Sequence, residues 1–367
     1  MKQITRYNNF FIKSCIMFEI PEQDINELGG AFFKDANIFD KKSFLITGGT
    51  GFIGKWFICS LYELIKKHNF DISITILTRN KNNFINTFKD DENIKDLNFI
   101  ECDIRHLDKI DSREYKFDYI VLGANDATYD FGLDPSLLTD TLINGTNLLI
   151  KKFVSKKTLA ILHLSSGAVY GDISKYKKGV SEHSKATFNI KDLGSLYGFS
   201  KILVESILNE FGKKNSVKII NARCFAFSGP FLPLDRHFAF GNFIRNALHN
   251  EDIVINGDGL PIRSYLYPVD LSNFLLRLFT IDQMNIDVNV GSSTQITIKD
   301  LARKILKITE SNKNIIVKNS GVNHPEKSNF YIPNTDFAIS LGFQENISID
   351  ESIKRTFNFY KAKPKYI

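Results

Sequence analysis

A glycine-rich turn between an apolar run and an amphipathic stretch constrains the fold of this chain most strongly. The turn Gly48-Gly49-Thr50-Gly51-Phe52-Ile53-Gly54 follows an apolar run at 43–47 and opens a helix predicted over 53–67. Such a string is a weak signal by itself, but its position between a strand and a helix is typical of a dinucleotide site. Glycines let the backbone approach a pyrophosphate, and the N–H groups at the helix start stabilise its charge. We therefore predict dinucleotide binding, rather than a purely structural turn, by Gly48, Thr50, Gly51, Phe52, Ile53 and Gly54.

Apolar runs and helical stretches alternate along the chain after this turn. Strands are predicted at 43–47, 72–77, 98–102, 119–122, 159–164 and 217–222, and helices at 53–67, 136–153 and 195–211. Near-continuous apolar strands separated by helices indicate a parallel sheet covered on both faces. We predict an α/β fold, a Rossmann-type doubly wound parallel sheet with a smaller C-terminal substrate-binding lobe. The dinucleotide-binding domain is predicted to span 43–224, with a strand near 286–290 returning to it, and the lobe mainly 225–367.

Both ends of the chain carry signals of packed structure. Residues 1–42 are predicted to form an N-terminal extension packed on the body, because they contain the clustered aromatic residues Phe10, Phe11, Phe32, Phe33 and Phe39. Near the C-terminus, Ser348 and Glu351 form the pattern of a capping box ahead of a helix predicted over 349–360.

The composition limits the possible binding partners and the cellular compartment of the protein. The 367 residues include 47 basic and 41 acidic side chains, giving a net charge of +6, and no dense Lys/Arg block predicts nucleic-acid binding. No apolar run approaches the roughly 18 residues that cross a bilayer. The four cysteines lack CxxC spacing. We therefore predict a cytoplasmic protein with reduced thiols, without a metal site and without a membrane or nucleic-acid partner.

Residues at the ends of the second and third predicted strands indicate which dinucleotide cofactor binds and how it is contacted. Dinucleotide-binding folds place the residue that contacts the adenosine ribose at the end of the second strand, where this chain has Arg79. A guanidinium binds a phosphate in bidentate geometry, so Arg79 favours NADP(H) through its 2′-phosphate. NAD(H) is the alternative if Arg79 is only a solvated loop charge. Asp103, just past the third strand, is predicted either to accept from the adenine amino group or to initiate a turn.

Three polar residues further along indicate proton transfer. Tyr197 and Lys201 lie four residues apart in a predicted helix and share one face. A tyrosine with a pKa near 10 is a better acid or base at neutral pH when an ammonium lies beside it. Ser166 leaves the fifth predicted strand at the sheet edge where such folds bind ligands, and its hydroxyl can bond the oxygen whose proton Tyr197 transfers. The order of these motifs predicts hydride transfer at a hydroxyl-bearing carbon.

Together these motifs resemble the extended short-chain dehydrogenase/reductase family, which contains NAD(P)-dependent nucleotide-sugar epimerases, dehydratases and 4-keto reductases. The resemblance covers the chain from Ser43 to about Ile308 and rests on residues 47–54, 103–105, 144–149, 165–171, 197–201, 228–230, 263–270 and 289–291.

The resemblance implies roles for individual residues. Ser166, Tyr197 and Lys201 become catalytic, and Lys201 also holds the nicotinamide ribose. It further implies cofactor contacts by Ile104 and Ala124, diphosphate binding by Arg263, base and ribose contacts by Asn242 and Phe243, and a homodimer joined through the helices that carry Asn144 and Tyr197. Arg263 can instead pair with Asp258 or Asp270 in a surface loop.

One departure from the family pattern limits the reaction. Ser166-Gly167-Ala168 stands where the 4,6-dehydratases of the family carry Thr-Asp-Glu, and neither Gly167 nor Ala168 can act as the acid or base that elimination of water requires. This departure disfavours a 4,6-dehydratase. Because Arg79 favours NADP(H), the favoured function is NADPH-dependent reduction of a 4-keto nucleotide sugar, within nucleotide-sugar metabolism such as polysaccharide biosynthesis. The alternatives are a nucleotide-sugar epimerase with tightly held NAD, a nucleotide-sugar dehydrogenase, and a non-catalytic dinucleotide sensor.

Overall fold

The computed structural model describes residues 17–29, 35–124, 134–189, 191, 195–236, 238–318 and 330–367. The helices are α1 (Glu22–Glu27), α2 (Phe52–His68), α3 (Lys81–Thr87), α4 (Pro135–Thr139), α5 (Gly145–Phe153), α6 (Ser195–Asn215), α7 (Ala239–Leu248), α8 (Pro268–Thr280), α9 (Ile298–Ile308), α10 (Asp336–Ser340) and α11 (Ile349–Ala362). The strands are β1 (Lys42–Thr47), β2 (Ile72–Thr78), β3 (Asn98–Glu101), β4 (Tyr119–Leu122), β5 (Ala160–Ser166), β6 (Lys218–Cys224), β7 (Ile253–Ile255), β8 (Ile262–Arg263), β9 (Asn285–Val290), β10 (Ile296–Thr297), β11 (Ile315–Val317) and β12 (Phe330–Tyr331).

A seven-stranded parallel sheet forms the centre of the molecule, with the strand order β3-β2-β1-β4-β5-β6-β9. The order reverses direction between β1 and β4, and in such sheets ligands bind outside the carboxyl ends of the strands at this point. β9 pairs with β6 although the smaller elements α7, β7, β8 and α8 separate the two strands in the chain. The predicted doubly wound parallel fold is confirmed.

Helices cover both faces of the sheet, as the near-continuous apolar strands require. One face packs on a buried cluster that includes Trp56 and Phe57 of α2 and Leu275 of α8. The other face packs on a cluster that includes Phe153 of α5 and Leu208 of α6. The core therefore holds α2 and α6, the two helices that carry the predicted site residues, on opposite faces of the same sheet.

The smaller lobe is built mainly from α7, α9 and α11, around a buried cluster that includes Phe240, Ile305 and Ile353. Ser348 caps α11, because its Oγ accepts a hydrogen bond from the Glu351 backbone N–H at 3.3 Å. The Glu351 carboxylate accepts from Arg355 Nε at 2.8 Å, so Ser348 supplies the helix-capping part of the predicted pattern.

Several predicted elements differ in detail from the structure; α6, predicted to end at 211, extends to Asn215. The helix predicted over 136–153 contains a π-helical turn at Asp140–Asn144 between α4 and α5. The third strand ends at Glu101, one residue earlier than predicted.

The described part of the N-terminal region packs on the body. Met17, Phe18 and Ile20 are buried in the same cluster as α2. Asp24 is fully buried and accepts hydrogen bonds from the Tyr267 hydroxyl and from Arg355, both at 2.7 Å. Phe39 is buried as well, whereas Phe10, Phe11, Phe32 and Phe33 lie outside the described residues.

Within the described ranges, no helix combines the length and apolar character needed to cross a membrane. Cys59 and Cys224 are buried free thiols and Cys102 is a half-buried one, while Cys15 lies outside the described residues.

Candidate active site

The carboxyl ends of β1, β4 and β5 meet where the strand order reverses. Thr47 Oγ1 accepts hydrogen bonds from the backbone N–H groups of Gly123 and Ala124, both at 3.0 Å, and joins β1 to the end of β4. Leu164 of β5 lies against Gly123, with a side-chain carbon 2.8 Å from the position a Cβ of that glycine would occupy. The predicted cofactor residue Ala124 is therefore adjacent to the glycine turn on one side and to the end of β5 on the other.

The glycine turn fits a dinucleotide by its backbone geometry. Gly51 is the N-cap of α2 and is exposed, so the N–H groups of Phe52 and Ile53 begin the helix beside solvent. A Cβ on Gly54 would clash with the carbonyl oxygen of Gly48, so only glycine allows the turn and the helix to pack this closely. Half-buried Thr50 lies within the turn. An exposed helix start on a tightly packed turn is the geometry that binds a pyrophosphate.

Arg79 and Asp103 lie at the neighbouring ends of β2 and β3. Arg79 is exposed, and its charge helps to lower the pKa of Asp103. The Asp103 carboxylate accepts from Arg105 Nε at 3.0 Å and Nη2 at 2.7 Å, and the hydrogen bonds from Arg105 lower the Asp103 pKa to about 2. Asp103 also caps the helical turn Ile104–Lys109 through the Arg105 N–H. The structure thus shows the turn-initiating role of Asp103, and its contact with adenine remains a prediction.

Ile104, the other residue predicted at this edge, is a buried side chain of the second core cluster. It packs against Gly145 of α5, where a Cβ would lie 3.1 Å from its side-chain carbons. The structure therefore shows Ile104 as part of the packing between the β3 end and α5.

The three predicted catalytic residues lie at the end of β5 and the start of α6. Lys201 is 2% exposed, and its ammonium donates to the Leu164 carbonyl oxygen at 2.7 Å. The ammonium lies 5.9 Å from the centre of the Tyr197 ring, as the shared helical face predicts. Ser166 Oγ accepts from the Ala168 N–H at 3.1 Å, and α6 packs so closely on this turn that a Cβ on Gly198 would clash with the Ala168 carbonyl. Ser166, Tyr197 and Lys201 are thus brought together by β5 and α6.

Lys201 is a cation in a desolvated setting. Burial lowers its pKa to about 8, and the charges of Cys224 and Glu205 partly oppose that shift. An ammonium of this kind loses its proton close to neutral pH, which suits a group that takes part in proton transfer.

Tyr331 connects Ser166, one of the predicted catalytic residues, to the smaller lobe. A hydrogen bond joins its side chain to that of Ser166, and burial raises the pKa of the phenol. The Arg263 guanidinium lies 5.8 Å from the centre of the Tyr331 ring, and β8 and β12 pair these two residues. Arg263, the residue predicted to bind the diphosphate, is therefore close to Ser166.

Arg263 has none of the carboxylate partners considered from the sequence. Asp258 accepts from the Leu260 N–H at 2.9 Å, and Asp270 accepts from the Asn346 and Ile347 N–H groups at 3.0 and 2.9 Å. Within the described ranges Arg263 forms no ion pair, and burial lowers its pKa. A half-buried guanidinium without an anion is available for a phosphate.

The structure places the two predicted residues of α7 differently from each other. Asn242 is half-buried, and its side-chain amide donates to the Arg236 carbonyl at 2.7 Å. Phe243 is 4% exposed and packs in the core of the smaller lobe. The Phe243 side chain therefore stabilises the lobe, and contact with a base would come from its backbone.

Phe225 and Tyr331, which are not among the residues predicted from the sequence, enclose Gly167. A Cβ on Gly167 would lie 2.8 Å from the Phe225 ring and 2.8 Å from the Tyr331 hydroxyl oxygen. Tyr331 belongs to a two-residue strand far from the other motifs in the chain, so no local pattern indicated it. Among the described residues no group of three or more His, Cys, Asp or Glu side chains is placed to hold a metal ion.

Comparisons with known proteins agree with this geometry. The sequence profile described as "Epimerase: NAD dependent epimerase/dehydratase family" matches residues 44–291. UDP-glucuronic acid decarboxylase 1 of Xenopus tropicalis is 24% identical over 327 residues, which cover 88% of this chain and 73% of that relative. UDP-glucose 4-epimerase of Mycoplasma genitalium is 27% identical over 312 residues, covering 75% of this chain and 84% of the relative.

A solved structure shows the same fold. UDP-glucose 4-epimerase of Thermotoga maritima, determined with UDP-glucose, superimposes with a TM-score of 0.73 at 21% identity and covers 88% of this chain and 99% of its own. The profile match begins in β1, includes the glycine turn and the catalytic candidates, and ends directly after β9. The resemblance stated from the sequence is confirmed: the chain belongs to the NAD dependent epimerase/dehydratase family and is an enzyme of that family.

Proposed function

We propose that this enzyme is a 4-epimerase of nucleotide sugars. The observation that carries the proposal is the enclosure of Gly167 by Phe225 and Tyr331, which leaves no space for an acidic side chain at position 167. Elimination of water needs a further acid and base beside the Ser166, Tyr197 and Lys201 group. Ser166, Tyr197 and Lys201 instead supply proton transfer at a single carbon, which is what oxidation and re-reduction of one hydroxyl requires.

The roles of these side chains follow from their positions. Tyr197 removes the proton of the sugar hydroxyl and later returns it, while Ser166 donates a hydrogen bond to the same oxygen. Lys201, held by the Leu164 carbonyl, places its positive charge beside the Tyr197 ring and favours the phenolate. Arg263 binds the nucleotide diphosphate. A nicotinamide dinucleotide bound on the glycine turn supplies the hydride acceptor and donor.

A second candidate function is the NADPH-dependent 4-keto reductase that the sequence favoured first. The observation that favours it is Arg79, which is exposed and forms no ion pair within the described part of the chain, so its guanidinium is available for a 2′-phosphate. A net reductase draws on the reduced NADPH pool at each turnover, whereas an epimerase returns its own hydride.

The experiment that separates these functions combines a substrate panel with measurement of the cofactor. The full-length protein is incubated with UDP-glucose, UDP-galactose, UDP-N-acetylglucosamine or UDP-glucuronic acid, and separately with NADPH and a 4-keto-6-deoxy nucleotide sugar. Products are separated by chromatography while absorbance at about 340 nm reports the reduced cofactor. Appearance of the 4-epimer without net change in reduced cofactor supports the epimerase. Stoichiometric loss of NADPH with a 4-keto sugar, or release of carbon dioxide from UDP-glucuronic acid, contradicts it.

Cofactor preference gives a separate prediction. If Arg79 binds the 2′-phosphate, NADPH binds more tightly than NADH, and Arg79→Ala reduces the difference by about 1–3 kcal/mol, the scale of a charged hydrogen bond. Fluorescence titration of both cofactors measures this difference. Arg113→Ala is the matched control, because Arg113 is also exposed and pairs with Asp111. Equal affinities for the two cofactors in the unchanged protein would show that Arg79 does not select NADP(H).

We also propose that the enzyme is a homodimer joined through the helices that carry Asn144 and Tyr197. Supporting observations are the exposed apolar side chains Leu137 of α4 and Phe199 and Leu203 of α6, which are 38%, 38% and 46% exposed. Apolar groups clustered on a surface favour association with a second copy. Sedimentation is expected to give twice the 41.9 kDa chain mass. Leu203→Glu should shift the protein towards monomer, and a wild-type protein that stays monomeric at micromolar concentration contradicts the proposal.

A further inference from the structure

Glu205 lies next to the catalytic candidates and has no part in the proton transfers described above. It follows Lys201 by one turn of α6, and its side chain is only 7% exposed. The Ser165 hydroxyl donates to its carboxylate at 2.6 Å. Glu205 therefore contacts the residue directly before Ser166 in the chain.

Arg223 of β6 fixes the orientation of this carboxylate. Its Nε and Nη2 donate to Glu205 at 3.1 and 2.8 Å, and its side chain is 12% exposed. Arg223 also donates to the Tyr170 hydroxyl at 3.0 Å, which in turn donates to Asn289 at 2.7 Å. The Glu205 carboxylate is thus held by a hydrogen-bonded network that reaches β6 and β9, and not by α6 alone.

Two side chains of α6 hold two successive residues of β5. Lys201 binds the Leu164 carbonyl at 2.7 Å, and Glu205 binds the Ser165 hydroxyl at 2.6 Å. Ser166 is the next residue, and its hydroxyl contacts the Ala168 N–H and the Tyr331 side chain. Because α6 forms hydrogen bonds with the two residues before Ser166, the position of Ser166 relative to Tyr197 and Lys201 depends on both contacts.

The charged and titratable groups that act on Lys201 come from three elements. Tyr197 and Glu205 lie on α6, His163 on β5 and Cys224 on β6. His163 is buried beside Asn221, and burial together with the Lys201 charge lowers its pKa well below the usual value, so it is neutral. Burial raises the pKa of the Cys224 thiol to about 12. Within the described ranges, Glu205 is the carboxylate whose charge acts on Lys201.

We propose that Glu205 is a positioning residue for this site: held by Arg223, it fixes the end of β5 through Ser165 and stabilises the ammonium form of Lys201. The inference rests on the proposed roles of Ser166 and Lys201. It assigns the buried Glu205–Arg223 ion pair a function in addition to packing. A buried ion pair by itself contributes little to the free energy of unfolding.

The first test measures the titration of Lys201 directly and needs no substrate. The full-length protein is labelled with lysine carrying ¹³C at the ε carbon, the Lys201 resonance is assigned with Lys201→Met, and its shift is followed against pH. The expected midpoint is about pH 8. Glu205→Gln removes the negative charge and should lower that midpoint by about half to one pH unit, since the ammonium loses its carboxylate. Glu205→Asp should restore it, and Glu210→Gln, at an exposed glutamate of the same helix, should leave it unchanged.

The second test distinguishes the effect of Glu205 on the position of β5 from the effect of its charge on Lys201 and from a general loss of folding. Ser165→Ala keeps the Glu205–Arg223 pair and removes only the link to β5, so the protein should fold even if Glu205→Gln does not. Its Lys201 midpoint should stay unchanged, while kcat falls about fivefold to tenfold at constant KM and cofactor affinity, as for loss of one hydrogen bond.

The proposal is overturned if the Lys201 midpoint in folded Glu205→Gln equals that of the wild type, or if Ser165→Ala turns over at the wild-type rate. A chain that shows the expected Lys201 shift but converts none of the sugars in the panel contradicts the proposed function and leaves the charge effect of Glu205 supported.

Discussion

Replacing Tyr197 with phenylalanine is expected to lower turnover about 10²–10⁴-fold, the usual contribution of a general acid or base. The ring and its packing beside Lys201 remain, so dinucleotide affinity should change little. Steady-state kinetics and cofactor titration measure the two quantities separately. Tyr115→Phe is the control, because Tyr115 is 37% exposed and packs on Phe117 and Phe153, away from the site. A Tyr197→Phe enzyme with near-normal turnover would show that another group transfers the proton.

Lys201→Met should reduce turnover further than Tyr197→Phe, because it removes the positive charge beside the phenol and the contact with the Leu164 carbonyl at once. Ser166→Ala should be milder, since one hydrogen bond to the reacting oxygen is lost.

The unchanged enzyme should also lose activity at alkaline pH. Burial lowers the pKa of Lys201 to about 8, so the ammonium is present below that pH and disappears above it.

Gly54→Ala is expected to weaken dinucleotide binding about 100-fold or more. The added methyl group would clash with the Gly48 carbonyl oxygen and the Gly49 backbone, neither of which can rotate away as a side chain can. The turn must then move away from the start of α2, and the N–H groups no longer converge on the pyrophosphate. Fluorescence titration with NADH and NADPH measures the loss.

The control for this substitution is Gly257→Ala, because no atom lies within 4 Å of the Cβ position at Gly257. Thermal unfolding without cofactor shows whether Gly54→Ala also lowers the free energy of unfolding. Tight binding of either cofactor by a folded Gly54→Ala protein would contradict the assignment of the glycine turn as the dinucleotide site.

Features with a local cause were predictable from the sequence. The glycine turn, the apolar strands and the Tyr197–Lys201 face each depend on neighbours within a few residues, and their periodicity indicates the fold directly. The predicted sheet and the grouping of Ser166 with Lys201 followed from strand ends that meet at one edge.

Features with a distant cause were not predictable in the same way. The family resemblance implied a substrate contact by Phe243, but its side chain packs in the core of the smaller lobe. Tyr331 reaches Ser166 only because β12 pairs with β8. These outcomes depend on tertiary packing, which residue spacing does not encode.

β9 is the last strand of the central sheet to be synthesised, and this order has a consequence for folding of the chain on the ribosome. β6 exposes one unpaired edge until the segment Asn285–Val290 has emerged, because β9 is its neighbour on that side. Unpaired edges of apolar strands are sites where nascent chains associate wrongly. We therefore expect nascent chains arrested before Asn285–Val290 has left the ribosome to bind chaperones and aggregate, and chains in which this segment has emerged to become protease-resistant.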